Sequence, residues 1–113
     1  MHEYSIVRDL MDRVEAEVAA CGATAVHRIQ LRIGELSGVE TDLLRSAYEV
    51  FRERSVCGSA ELDISHAAAS WVCSQCGETV ETGGPLQCRL CSGPARLATG
   101  DEIVLERIEM EVA

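Results

Sequence analysis

Two Cys-x-x-Cys pairs constrain this chain of 113 residues more than any other feature. The pairs are formed by Cys73, Cys76, Cys88 and Cys91. Each pair makes a turn that brings two thiolates within reach of one ion, and the glycines that follow, Gly77 and Gly93, supply the permissive backbone that the turns need. Four sulfurs at about 2.3 Å complete a closed tetrahedral shell, which predicts a structural zinc site. Iron and a redox dithiol are the alternatives at this point.

The pairs lie in a segment, residues 69–99, whose composition differs from that of the rest of the chain. It contains four Cys, both Pro and four Gly, with only two acids and two Arg, which is too little apolar material for a core of its own. Zinc binding releases roughly 10–16 kcal/mol in small zinc peptides, enough to fold such a segment. Residues 69–99 are therefore predicted to form a zinc-binding domain. Cys21 and Cys57 belong to neither pair and are predicted to be small buried side chains.

Hydrophobic periodicity outside this segment predicts two helices and three strands. The helices cover residues 4–20 and 41–54, and the strands cover residues 25–33, about 61–66 and 102–112. Gly22 is placed to end the first helix in a left-handed turn, and Thr41 is placed to cap the second. The predicted fold is α+β, with two helices on one face of a three-stranded sheet and an inserted zinc-ribbon-like module. Residues 1–68 and 100–113 would form one discontinuous α/β domain.

Charge and composition exclude several classes of function. All ten basic residues are Arg, so the chain lacks the lysine of a Walker-type phosphate loop and the lysine of pyridoxal chemistry. Nineteen acidic residues give a formal net charge of −9, which disfavours nucleic acid as a partner. No Ser or Cys has a recognisable catalytic base, so the chain is predicted not to be an enzyme. No signal-peptide pattern and no run of about 18 apolar residues occurs, which predicts a cytoplasmic protein without a membrane partner.

The amino terminus, Met1-His2-Glu3, is a second candidate metal site. The terminal amine of Met1, the amide and imidazole nitrogens of His2 and the backbone amide of Glu3 can surround one ion. Deprotonated amides enforce a planar square of nitrogens, which suits Ni²⁺ or Cu²⁺ and not Zn²⁺. Taken alone, the motif is more typical of an exposed terminal histidine.

Several segments together resemble the hydrogenase nickel-incorporation proteins, the HypA family with its paralogue HybF, over essentially the whole chain. They are the Met1-His2-Glu3 start, Ser5-Ile6, Gly34-Glu35-Leu36-Ser37-Gly38-Val39, the two Cys pairs and Gly100-Asp101-Glu102-Ile103. The chain departs from the family at Thr41-Asp42, where a Pro-Glu pair usually opens the second helix. This departure affects a turn and no proposed metal ligand.

The resemblance implies a metallochaperone that carries Ni²⁺ to the large subunit of [NiFe]-hydrogenase. The implied partner is the GTPase HypB, and some members also serve urease. His2 would be the essential nickel ligand, together with Glu3 and the terminal amine of Met1, and the four cysteines would bind structural zinc. The discontinuous α/β domain would then be the nickel-binding domain. Monomer and homodimer are both compatible with the sequence.

Two interpretations stay open beside this one. A zinc-ribbon adaptor for nucleic acid or transcription machinery fits the Cys pairs, although the net charge of −9 disfavours it. His66, just before the cysteine segment, is either an extra nickel ligand or a histidine at the edge of the sheet.

Overall fold

A computed structural model describes residues 2–113 and contains two helices and six strands. The elements are α1 (Glu3–Cys21), β1 (Ala23–Gly34), α2 (Thr41–Arg52), β2 (Glu61–Ala67), β3 (Ser70–Cys73), β4 (Thr79–Val80), β5 (Ala95–Thr99) and β6 (Ile103–Val112). The strands form two three-stranded sheets, in the orders β2-β1-β6 and β4-β3-β5. The α+β fold predicted from the sequence is confirmed.

The chain divides into two compact units. Unit 1 comprises Met1–Arg32, Val39–Ser65 and Val104–Ala113, and unit 2 comprises Ile33–Gly38 and His66–Ile103. Unit 2 therefore contains, besides the cysteine segment, the turn that follows β1. The division into a nickel-binding and a zinc-binding domain stays a prediction.

Side-chain contacts give the strand directions of the first sheet. Arg28 bonds Asp63 at 2.5 Å, and the Ser65 hydroxyl donates to the Leu31 carbonyl at 3.3 Å, so residue numbers rise together along β1 and β2. These two strands are parallel, with α2 as the crossover between them. Arg28 also bonds Glu109 at 3.1 Å, and Arg32 bonds Glu106 at 3.3 Å, so β6 runs antiparallel to β1.

The core of unit 1 follows from the predicted apolar periodicities. The helices bury Val7, Leu10, Met11, Val14, Leu44, Ala47 and Tyr48, and β1 buries Val26, Ile29 and Leu31. The hydroxyl of Tyr48, which is 1% exposed, donates to the carbonyl of Ala60 at 2.8 Å and ties α2 to the loop after it. Helix packing on one face of a sheet accounts for the fold of this unit.

Two capping predictions have different outcomes. Gly22 ends α1 in the left-handed conformation, with φ of 65° and ψ of 31°, as predicted. Thr41 is the first residue of α2 and not its cap, because the N-cap position is taken by Glu40 in an extended conformation.

Of the two unpaired cysteines, Cys57 is buried as predicted. Cys21 is exposed, because it is the last residue of α1 and lies two turns beyond Val14, the last buried residue of the helix.

Unit 2 contains a sheet that periodicity did not predict, because its strands are only two to five residues long. β3 pairs antiparallel with both β4 and β5. The buried cluster consists of Cys73, Val80 and Cys88, with Trp71 and Ala95 packed against it. Two of its three buried members are cysteines, so this core is completed by the sulfur cluster itself.

Within residues 2–113, neither helix combines the length and apolar character required to cross a lipid bilayer.

Candidate metal centre

The four paired cysteines meet in space at one end of the second sheet. Cys73 is the last residue of β3, and the second pair lies in the turn that precedes β5. All four sulfurs lie within 4.8 Å of one another. The Cys73 and Cys91 sulfurs are 3.4 Å apart and the Cys76 and Cys88 sulfurs 3.6 Å apart. A tetrahedral site with ligands at about 2.3 Å has edges of about 3.8 Å, so the cluster has the size that one metal ion requires.

Both Cys pairs adopt the same turn. The Gly77 amide donates to the Cys73 carbonyl at 3.0 Å, and the Ser92 amide donates to the Cys88 carbonyl at 3.1 Å. The residue that closes each turn has positive φ, 77° at Gly77 and 62° at Ser92. The prediction for Gly77 is confirmed, but Ser92 and not Gly93 takes the corresponding position in the second turn. Gly93 is required for space, because a Cβ there would lie 3.0 Å from the Cys73 sulfur.

Backbone amides point at the sulfurs and set their ionisation. The amides of Cys76 and Gln75 each donate to the Cys73 sulfur at 3.4 Å, and they lower the pKa of Cys73 to about 6. The Leu90 amide donates to the Cys88 sulfur at the same distance, 3.4 Å. At Cys76 the amide of Glu78 favours the thiolate, but the Cys88 sulfur, burial and the other two sulfurs together outweigh it, and the pKa of Cys76 rises to about 12. Four adjacent thiolates repel one another, so a bound cation is needed to ionise the whole set.

The cluster offers four protein ligands and half of it is buried. Cys73 and Cys88 are buried, whereas Cys76 and Cys91 are exposed. Among the described residues, these cysteines are the only group of three or more His, Cys, Asp or Glu side chains placed to share an ion. A four-sulfur shell leaves no position for substrate, so this arrangement is suited to stabilising the fold and not to catalysis.

The second predicted site is at the start of α1. Met1, predicted to contribute its terminal amine, lies outside the described residues. His2 is exposed and takes the N-cap position, where its carbonyl accepts a hydrogen bond from the Ile6 amide at 2.9 Å and its side chain makes no capping bond. Glu3 is the first residue of α1, and its side chain is only 3% exposed.

The role of the Glu3 side chain was missed by sequence reasoning. Its Oε2 atom accepts a hydrogen bond from the Glu40 amide at 3.2 Å. Glu40 is the N-cap residue of α2, so a carboxylate from α1 lies at the positive end of the second helix, where negative charge is favourable. Thirty-seven residues separate the two partners, and no local pattern signals such a contact.

The remaining histidines are separate from the cysteine cluster. His27 lies 3.4 Å from Glu111, and both side chains are largely exposed. His66 is exposed on β2. A contribution of His66 to nickel binding stays a prediction.

Comparison with known proteins identifies the family. Residues 1–110 match the family described as "Hydrogenase/urease nickel incorporation, metallochaperone, hypA". The chain is 36% identical to the hydrogenase maturation factor HypA of Shewanella halifaxensis, covering 100% of both chains. It is 40% identical to the HypA of Wolinella succinogenes, covering 98% of this chain and 96% of that protein. These descriptions are those of a metallochaperone and maturation factor and not of an enzyme, as predicted.

Solved structures agree with the sequence relatives. The Ni metallochaperone HypA from Helicobacter pylori has a solution structure that superposes with a TM-score of 0.78 at 32% identity, covering 100% of both chains. A second solution structure, of a HypA protein, superposes with a TM-score of 0.85 at 32% identity, covering 100% of this chain and 98% of the other. The chain therefore belongs to the HypA family of nickel-incorporation metallochaperones, whose characterised relatives are hydrogenase maturation factors.

Proposed function

We propose that this protein binds Ni²⁺ at its amino terminus and delivers it during maturation of [NiFe]-hydrogenase. The nickel ligands would be the Met1 amine, the His2 imidazole and amide nitrogens, and the Glu3 amide nitrogen. The observation that carries the proposal is the Met1-His2-Glu3 sequence, with His2 at the N-cap of α1 and Glu3 as its first residue, in a chain that matches the family from residue 1 to residue 110.

The start of α1 favours ligation by backbone nitrogen. An α-helix provides no carbonyl acceptors for the amides of its first turn, so ligation by the Glu3 amide nitrogen would not break a bond of the helical ladder. It would instead replace the hydrogen bond between that amide and the carboxylate of the same residue. The His2 carbonyl is already engaged by Ile6, and the Glu3 carboxylate by Glu40, so the backbone on both sides of that amide is held in place. The exposed His2 imidazole is accessible to an incoming ion.

Charge balance supports the same ligand set. Two deprotonated amides offset the two positive charges of Ni²⁺, so the complex adds no net charge at the positive end of a helix dipole. A bare dication held by neutral ligands would be repelled there. The helix start therefore favours the planar amide complex over an ion bound by imidazole and amine alone.

We assign structural Zn²⁺ to Cys73, Cys76, Cys88 and Cys91. The assignment is supported by sulfur separations of 3.4 and 3.6 Å, which are close to the edge of about 3.8 Å of a tetrahedral thiolate site. Bound zinc would supply the positive charge that lets all four thiols ionise, and it would join the two Cys turns into one unit.

The partners in this proposal are the GTPase HypB and the hydrogenase large subunit, and the compartment is the cytoplasm. Delivery to urease is a further possibility within the proposal, because the family description includes it. Monomer and homodimer are both compatible with the role.

Nickel titration of the untagged protein tests the proposal. We expect one Ni²⁺ per chain at micromolar affinity, on the order of −8 kcal/mol, in a diamagnetic square-planar complex. His2→Ala should abolish this complex, as should any extension that blocks the Met1 amine. His27→Ala is the matched control, since it removes an equally simple exposed imidazole and should leave binding unchanged.

Affinity should fall as pH drops from 8 towards 6, because protons compete for the amine, imidazole and amide nitrogens. Nickel binding retained by His2→Ala, or an affinity that does not change over this pH range, would contradict the assignment.

A further inference from the structure

Two short stretches of unit 2, which we call stems, lie at the two ends of the cysteine segment, residues 69–99. The entry stem is residues 67–69 and the exit stem is residues 100–102. Both contact the turn after β1, residues 34–38, which is also part of unit 2. The amides of Gly34, Glu35 and Leu36 donate to the carbonyls of Glu102, Ala67 and Gly100 at 2.9, 2.8 and 2.7 Å. We call the turn and the two stems together the clasp.

Each stem is also held by a carboxylate. The Glu35 carboxylate accepts a hydrogen bond from the Ala69 amide on the entry stem. Both carboxylate oxygens of Glu102 accept from the Gly100 amide on the exit stem, at 3.1 and 3.2 Å. Hydrogen bonds to a charged acceptor are about twice as strong as neutral ones. The Glu35 bond thus joins the turn to the entry stem, whereas the Glu102 bonds lie within the exit stem and fix its conformation.

The backbones of the clasp approach so closely that two glycines are required. A Cβ on Gly34 would lie 2.1 Å from the Gly100 carbonyl oxygen. A Cβ on Gly100, where φ is 119°, would lie 2.6 Å from the Cα of Ala69. No side chain can be accommodated at either position without separating the stems from the turn.

The clasp lies at the end of the β3–β5 ladder opposite the cysteines. β3 begins directly after the entry stem and ends at Cys73, and β5 begins four residues after Cys91 and ends directly before the exit stem. The register of β3 against β5 therefore sets the separation of the two Cys pairs.

That register is irregular beside the clasp. Ser70 pairs with Thr99 but Trp71 pairs with Leu97, so Ala98 is an extra, bulged residue. The Ser70 and Thr99 hydroxyls are 2.6 Å apart. A slip of one residue would move a strand by about 3.3 Å, whereas metal–ligand distances tolerate only about 0.2 Å. Because the pairing of β3 with β5 is bulged at the end away from the cysteines, contacts from outside this ladder are needed to hold it in a single register.

We propose that the clasp fixes the register of β3 against β5 and thereby positions the two Cys pairs to share one metal ion. Glu35 and Glu102 are the positioning residues, and neither touches the metal. This role is assigned to the turn at residues 34–38, which the proposed nickel site does not use. The inference rests on the four-sulfur metal site proposed above.

Variants at Glu35 test the proposal in the full-length protein. Zinc release to an excess of a chromogenic chelator is the first readout, and the charge-transfer spectrum of the cobalt-substituted protein is the second. Glu35→Ala should release zinc about 10-fold faster, the effect of losing one hydrogen bond to a charged group, and should weaken the tetrahedral cobalt signature. Glu35→Gln keeps an acceptor oxygen and should stay within about threefold of the wild-type rate.

Glu17→Ala, on the exposed face of α1, is the control for loss of one acidic side chain. Amide exchange at Ala69 should accelerate in Glu35→Ala and stay unchanged in the control. Because Glu102 fixes the conformation of the exit stem through its bonds to the Gly100 amide, Glu102→Ala and Glu102→Gln give a second pair of variants should Glu35→Ala fail to fold. Folded alanine variants with the wild-type release rate and cobalt spectrum would overturn the clasp role. A wild-type protein with no metal on its cysteines would overturn the proposed metal site instead.

Discussion

Gly93 provides a stringent test of the sulfur cluster, because a single methyl group there would contact a proposed ligand. In Gly93→Ala, the new Cβ would lie 3.0 Å from both the Cys73 sulfur and the Gln75 side chain. Gln75 is exposed and can move away. The Cys73 sulfur cannot move as easily, because the residue is 1% exposed and two amides donate to its sulfur.

The magnitude follows from the displacement needed. Non-bonded heavy atoms prefer separations of about 3.5–4.0 Å, so the sulfur would have to move by a few tenths of an ångström, against a tolerance of about 0.2 Å at a metal site. Overpacking of this kind costs about 1–3 kcal/mol, which corresponds to a loss of roughly 5- to 140-fold in zinc affinity.

Competition for zinc against a chelator of known affinity measures this loss. Gly84→Ala is the matched control, since a Cβ on Gly84 has no heavy atom within 4 Å and the residue does not have positive φ. The control should retain wild-type affinity. Equal zinc affinities for the two variants would refute the reasoning, because they would mean that the Cys73 sulfur is free to move.

Two further predictions concern unit 1. In the zinc-loaded protein, a thiol reagent at pH 8 should modify Cys21 first, because Cys21 is exposed while burial raises the pKa of Cys57 and slows its reaction; labelling that persists in Cys21→Ser would contradict this. Tyr48→Phe should lower the free energy of unfolding by about 1–3 kcal/mol, because the buried Ala60 carbonyl loses its hydroxyl partner. Urea denaturation measures the change, and a midpoint equal to that of the wild type would show that water replaces the hydroxyl.

The fold of unit 1 could be predicted from sequence because its signals are local. The apolar stripe of α1, the alternation of β1 and the turn at Gly22 each act within a few residues, and each survives in the structure. The predicted cap of α2 was wrong: Glu40 and not Thr41 is the N-cap residue, and its amide bonds the Glu3 side chain, which is 37 residues away in the sequence. Short-range patterns carry no information on such a contact.

The four members of the cysteine cluster could be predicted from the sequence, but the backbone conformation around them could not. Spacing identified its four members, yet it could not identify Ser92 as the residue with positive φ or Gly93 as the residue that must lack a side chain. The small sheet around the cluster also escaped prediction, since strands of two to five residues are too short for an alternation to be recognised. Its register depends on pairings between segments that are more than twenty residues apart.

The strand order β2-β1-β6 has a consequence for synthesis on the ribosome. β1 is the central strand, and one of its two edges is covered only by β6, Ile103–Val112, which follows both Cys pairs along the chain. Translation therefore completes both cysteine turns while this edge of β1 is still bare, and an uncovered edge invites pairing with other nascent chains. A polypeptide released before residue 103 would carry all four paired cysteines and the Met1-His2-Glu3 sequence, yet it would expose a template for aggregation.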